Sequence, residues 1–161
     1  MTIPVSTVPL AMAGLFNLIQ NQLIQDPYSQ QVLVYYGEPG MDLTDDMIEV
    51  GTTVRRAVKP QTFIGDYSLY ALEEHYTIEC LVSTWSGDPD PLASLNRAYT
   101  LVGYVETAVR TDPSLGSEVL QAFPAGTSGG QPVWTGGDNE DEGPIGRLCE
   151  ITVMVDVTTL N

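Results

Sequence analysis

Basic side chains are the scarcest feature of this chain: 6 Lys and Arg stand against 21 Asp and Glu, a formal net charge of −15. That balance disfavours a protein that wraps nucleic acid, because such binding relies on Lys and Arg neutralising phosphates. Solubility needs far less charge than this. A surface so acidic suits a protein that must repel a polyanion passing close by. Histidine occurs once, at His75, so a zinc site built on two histidines is excluded. Cysteine occurs twice, at Cys80 and Cys149, without CxxC or Cys/His spacing, which excludes the common metal and redox motifs. Each lies in an apolar strand pattern and reads as a buried thiol, although neighbouring strands would permit a disulfide. No apolar run approaches the ~18 residues of a membrane span. The N-terminus also lacks the basic region of a signal peptide, so a soluble cytoplasmic protein is expected. The expectation is a protein with no catalytic residues, no cofactor and no metal.

What is present is a globular composition, 43 % hydrophobic over 161 residues, enough for one domain with a real core. The segment Leu92 to Arg110 organises it. Leu92, Leu95, Tyr99, Val102, Val105 and Val109 recur at spacings of three and four, the stripe of a core helix. Asp90 and Pro91 supply a cap and a first-turn proline, and Thr111-Asp112-Pro113 ends the run. A helix with one apolar stripe needs an apolar surface to lie on, and the alternating segments on either side of it provide one.

Ser6 or Thr7 caps an earlier helix that has Pro9 in its first turn and carries Val8, Met12, Leu15, Leu18, Ile19 and Leu23 up to about Gln25. After the Asp26-Pro27 turn, Val32 to Tyr36 reads as a short strand. Met47 to Lys59 alternates through Ile48 and Val50, is interrupted at Gly51, and ends in Arg55, Arg56 and Lys59. In the long strand Tyr70 to Thr84, the residues Tyr70, Leu72, Tyr76, Ile78, Cys80 and Val82 share one face, with Glu73, His75, Thr77 and Glu79 on the other. Ser117 to Phe123 fits either a turn of helix or a strand. Pro124 to Gly146 holds seven glycines, three prolines and the acidic run Asp138 to Glu142, and reads as a long loop or extended arm. Arg147 to Thr158 alternates strictly, with Cys149, Ile151, Val153, Val155 and Val157 inward. The expected fold is α+β: a single domain over 1–161, with a mainly antiparallel sheet, two principal helices on one face, and a Gly/Pro-rich acidic loop at 124–146.

Few residues offer chemistry. His75 falls on a polar strand face beside Glu73 and Glu74 and reads as solvated. Gly126-Thr127-Ser128-Gly129-Gly130 lacks the lysine and following helix of a phosphate loop. Asp138 to Glu142 lacks the spacing of a calcium loop and reads as a solvated acidic arm. Arg55, Arg56 and Lys59 gather three of the six basic residues and either pair with carboxylates of another subunit or guard a strand edge. Trp134, in the Gly/Pro-rich segment, either anchors to a partner or docks on its own domain.

The order of elements, with a VLVYYG strand, a GDP turn before the long helix, VRTDPSLG after it and a terminal GRLCEITVMVDV strand, resembles the tail terminator (tail-completion) proteins of long-tailed bacteriophages. The resemblance implies a structural virion protein at the head-proximal end of the tail, assembled in the host cytoplasm as a homo-hexameric ring. Such a ring ends polymerisation of the tail tube protein and docks a neck or head-tail connector protein, while DNA passes through its lumen without specific binding. In such a ring Arg55, Arg56 and Lys59 are expected to supply a basic patch at a subunit contact, and the Trp134 arm to reach a neighbouring subunit or neck protein. A head-tail connector or neck ring protein is the alternative within the same class. A monomeric α+β ligand-binding or enzymatic domain is the alternative from another class, and would need a concave site with convergent polar groups.

Overall fold

In the computed structural model, residues 6–40, 44–61, 71–136 and 145–160 are described. Two helices and six strands follow in the order α1 (Val8–Leu23), β1 (Val32–Tyr36), β2 (Asp46–Gln61), β3 (Ala71–Ser86), α2 (Pro91–Thr111), β4 (Gln121–Gly129), β5 (Val133–Thr135) and β6 (Gly146–Leu160). The sheet order is β1-β2-β3-β6-β4, and β5 also pairs with β6. Among the described strands only β1 and β2 run parallel; every other pair is antiparallel. This is the α+β class expected from the alternation.

The core lies where the apolar side of the sheet meets the helices. Ile48, Val50, Ile78, Cys80, Val82, Ile151, Val153 and Val155 are buried from the sheet, and Leu15, Ile19, Leu101, Val105 and Val109 from the helices. α2 begins as its sequence requires, with Pro91 in the first turn and the Asp90 carboxylate accepting the Leu92 N–H at 2.9 Å. Its buried stripe differs from the expected one. Leu92 and Tyr99 are about half exposed, and Ser94, Ala98, Leu101, Val102, Val105, Ala108 and Val109 face inward. Small side chains at 94 and 98 let the first half of α2 lie close to the sheet, which turns the bulkier flank outward.

Gly51 marks a bulge. Between Val50 and Thr53 the register advances three residues on β2 against one on β3, with Gly51 at φ +79. Because two extra residues are inserted, Ile48, Val50, Val54 and Arg56 all stay on the helix side.

The stretch 124–146, expected as a loop or arm, is strand over most of its described length. β4 runs through to Gly129 and β5 spans Val133–Thr135, both along the outer edge of β6. Pro124 and the glycines are tolerated there because an edge strand bonds on one side only, and a register shift between Pro124 and Gly126 absorbs the irregularity. At Gly129 a Cβ would come 2.7 Å from the Glu150 carbonyl oxygen, so the residues that resembled a phosphate loop instead seat an edge strand. The acidic run Asp138 to Glu142 lies outside the described residues.

Between α2 and β4 the open choice at Ser117 to Phe123 resolves into a turn followed by strand. Asp112 builds that turn, accepting from Ser114 N at 3.0 Å, Ser114 Oγ at 2.5 Å and Gly116 N at 2.9 Å. Leu115 is thereby held fully buried at φ +50.

Candidate interaction surfaces

Arg55 and Arg56 are consecutive and point to opposite faces of β2. Arg55, 77 % exposed at its side chain, ion-pairs with Glu79 at 3.3 Å on the face away from the helices. Arg56 faces the helices and pairs with the carboxylate of Glu74, a fully buried residue. Glu74 also accepts the Thr7 N–H at 2.9 Å and the Thr7 hydroxyl at 2.8 Å. Since Thr7 has one hydroxyl proton, given to Glu74, the Tyr76 hydroxyl donates to Thr7 Oγ1 at 3.0 Å. Burial opposes ionisation of Glu74, but the two Thr7 donors and Arg56 outweigh it and hold its carboxyl below the usual range. Arg56 is therefore committed within its own chain. Lys59 is exposed and stands opposite Glu73 in the register. Of the expected basic patch, Arg55 and Lys59 are presented together on one face; Arg56 is not.

Arg97 is committed in the same way. Its Nη1 donates to Asp26 and its Nε to Asp46, both at 2.7 Å, joining the α1–β1 connection, the start of β2 and the middle of α2. Arg110 pairs with Glu106 one turn earlier on α2 at 3.2 Å.

His75 lies on the open face of β3. One ring nitrogen meets the Glu73 carboxylate and the other the Thr158 hydroxyl at 3.1 Å. The order hydroxyl, imidazole, carboxylate has the parts of a proton relay. However, β3 pairs with β2 and β6 on its two sides, and at this level Thr158 pairs with both His75 and Gln121. The surrounding groove, about 350 Å³ and lined by Arg55, Thr77, Phe123 and Asp156 among others, is open to solvent. Among the described residues no group of three or more His, Cys, Asp and Glu is placed to hold a metal ion.

Trp134 lies in β5 and is 47 % exposed, with the Arg147 guanidinium 4.7 Å over its ring. Val133 and Ile145 beside it are likewise about half exposed. Trp134 thus docks on its own domain through one side and shows the other to solvent. A second groove, also about 350 Å³, runs between the end of α1 and β1, lined by Gln20, Leu23, Ile24, Val32 and Val34.

The buried Glu74 was missed by sequence reading, which placed Tyr70, Leu72 and Tyr76 on the core face and passed over position 74. Its even number in that alternation is the available signal, since it puts a carboxylate in line with the apolar set.

No protein-family model and no curated protein matches the sequence. Among solved structures, a chain from "Virion of native gene transfer agent (GTA) particle" aligns over 89 % of this chain and 92 % of its own, at 10 % identity and a TM-score of 0.30. That structure is a neighbour from a virion; at such a score and identity the likeness carries no argument about function.

Proposed function

We propose that this chain is a structural, non-enzymatic virion protein that forms a homo-hexameric ring at the head-proximal end of a bacteriophage tail tube. In this reading it ends tube polymerisation, meets a neck or head-tail connector protein on its other side, and lets DNA pass through its lumen. The sequence resemblance supplies the idea, and the disposition of charge is the observation that supports it. Arg55, Arg56, Arg97 and Arg110 are all engaged by carboxylates of the same chain, while among the described residues Glu38, Asp45, Asp88, Asp90, Glu118 and Glu150 are exposed and form no ion pair with a basic side chain. A ring of such chains repels DNA phosphates and leaves DNA free to slide.

The test is the solution mass by light scattering, alone and with the tail tube protein. The expected result is a species of six 17.5 kDa chains, formed either spontaneously or on tube ends. A monomer indifferent to tube overturns the reading. Within it, Arg55 and Lys59 face a neighbouring subunit, and the double charge reversal Arg55→Glu, Lys59→Glu lowers the assembled fraction. Arg56 is left out of that test because its loss strands the buried Glu74 carboxylate.

A further inference from the structure

Charge is spread unevenly along the chain. From Met1 to Gly37 the one acidic or basic side chain is Asp26, and Arg97 holds it; all the others follow. α1 and β1 therefore make a side of the domain with no charge of their own, where Ile24 and Tyr36 are nonetheless exposed. Depletion of charge with exposed aromatic and aliphatic side chains marks the core of an interface. β1 is VLVYY, without glycine or proline, and among the described residues it pairs only with β2. The Gly37 N–H bonds to the Val50 carbonyl at 2.8 Å, so odd-numbered residues of β1 address β2 and even-numbered ones point away from the sheet. The Val32 N–H is already given to the Ser29 carbonyl. That leaves the Val32 carbonyl and both backbone groups of Val34 and Tyr36, along an edge that a solvent-filled groove reaches.

The free groups of β1 are complementary to themselves. When two copies of β1 run antiparallel and overlap over all five residues, the twofold axis falls at Val34. Each copy then donates its Val34 N–H to the Val34 carbonyl of the other and its Tyr36 N–H to the other's Val32 carbonyl. The Val32 N–H, spent on Ser29, is the one outward donor such a pair leaves out. Charge favours the same match. A chain at −15 repels its own copies, and a side without charge is the one that meets itself without bringing carboxylates together. Glu38, the first charge after β1, lies four residues from the axis, so the two Glu38 side chains sit at opposite ends of the joined strands, roughly 25 Å apart and well beyond a Debye length. The other sheet edge is a poorer match, because β4 carries Pro124 and a bulge, both of which discourage pairing.

We propose that the β1 edge is a self-association surface: two copies pair β1 with β1 antiparallel about a twofold axis at Val34, joining their sheets into one. The axis stands perpendicular to the sheet, so both α1 helices flank the join on the same face. There the Tyr36 ring, stacked on Phe16 of its own chain at 4.3 Å, comes level with Val32 of the other copy. It covers the groove that Leu23, Ile24 and Val32 line. On the opposite face Leu33 of one copy meets Tyr35 of the other. The contact is isologous and closes on two copies. It goes beyond the ring reading and does not rest on it, since Arg55 and Lys59 lie on β2 and stay outside the join.

Disulfide trapping reads this register directly, because the native cysteines are buried. Leu33 and Tyr35 of two copies face each other in a non-hydrogen-bonded pair with Cα atoms ~4.5 Å apart, within disulfide reach. Two copies of the same residue are diagonal neighbours about 8 Å apart, past the ~7 Å limit. Leu33→Cys and Tyr35→Cys chains mixed one to one under mild oxidation are therefore expected to give a covalent two-chain species, and neither variant alone is. Formation should be roughly tenfold or more faster than for Leu33→Cys mixed with Thr107→Cys, an exposed site on α2 that reports random collision. A mixture no faster than that control, or a disulfide formed by one variant alone, overturns the contact at Val34. Hydrogen exchange on the wild-type chain needs no variant: the Val34 and Tyr36 amides are expected to be protected in concentrated protein, and fast exchange of both there overturns the pairing. Six chains on tube ends without the mixed disulfide leave the ring reading standing and remove the β1 contact. The mixed disulfide in a chain indifferent to tube does the reverse.

Discussion

Glu74 closes the N-terminus of α1 from across the fold: its carboxylate accepts the Thr7 N–H at 2.9 Å, although the two residues are 67 positions apart. Thr7 is the N-cap residue but makes no side-chain cap bond of its own, because its hydroxyl is given to the same carboxylate. A negative charge at a helix N-terminus is stabilising, and here it also neutralises Arg56. Glu74→Gln is expected to cost about 2 kcal/mol through loss of the charge-assisted bonds. Arg56→Met should cost roughly 3 kcal/mol, since it leaves a buried carboxylate without its cation. The pH dependence has a definite sign. With its folded-state pKa depressed, Glu74 contributes fully above its unfolded value, near ~4.3, and the contribution is lost as pH falls through the folded one. Urea melts between pH 6 and pH 3 should therefore converge for wild type and Glu74→Gln as pH drops; a constant gap would contradict this assignment.

Gly14 is required by a close approach. A Cβ at this position would lie 2.1 Å from the carbonyl oxygen of Leu115. Ala in place of Gly inside a helix contributes about 1 kcal/mol of stability by propensity. Here the clash outweighs that gain, because Leu115 is fully buried and its turn is tied down by Asp112, leaving it little room to retreat. Gly14→Ala is expected to destabilise by roughly 2 kcal/mol net, a thermal shift of about −5 °C for a chain of this size. A neutral or raised melting temperature would show that the turn yields.

The parts of the fold legible in the sequence are those set by local chemistry. Asp90 and Pro91 start α2, Gly51 interrupts β2, and the strict alternation of β6 places Ile151, Val153 and Val155 in the core. What was not legible depends on partners distant in sequence. Pro124 and its glycines suit a loop or an edge strand equally, and only the pairing of β4 with β6 decides. Leu92 and Tyr99 satisfy helical periodicity, but the smaller Ser94 and Ala98 take the inward face because the packing distance favours them. Of the candidate site, Trp134 is at a surface, and Arg55 and Lys59 are presented as a patch. Arg56 is drawn inward by Glu74, a pairing that becomes visible only once β2 and β3 are in register.

The cysteines sit on neighbouring strands but not opposite one another. Cys80 faces Val153 and Cys149 faces Thr84, an offset of four residues or about 13 Å along the strands, against the ~7 Å limit between Cα atoms for a disulfide. Both are free. Burial pushes the Cys80 thiol up to about 12, and burial together with Glu150 raises Cys149. At pH 8 a thiol reagent should therefore label neither cysteine in the native protein and both in denaturant, with native labelling limited by global opening. Rapid stoichiometric labelling of either residue would contradict its burial.

Charge decides how the surface meets DNA, and this can be tested in both directions. On the open face of the sheet Glu73, Glu79, Glu150 and Asp156 outnumber Arg55 and Lys59, and Arg55 is itself held by Glu79. Wild-type protein should not retard duplex DNA even at about 50 mM salt, where phosphate contacts are strong. The triple variant Glu73→Lys, Glu79→Lys, Glu150→Lys changes the local balance by six charges on the same scaffold. It is expected to retard DNA with a dissociation constant that rises steeply with salt, roughly one power of salt concentration per phosphate neutralised. If wild-type protein already shifts DNA in a salt-dependent way, a cationic surface exists beyond the described pairs and the argument that the protein's acidity repels DNA fails. If the triple variant alone does so, the acidity of this face is what keeps DNA from sticking.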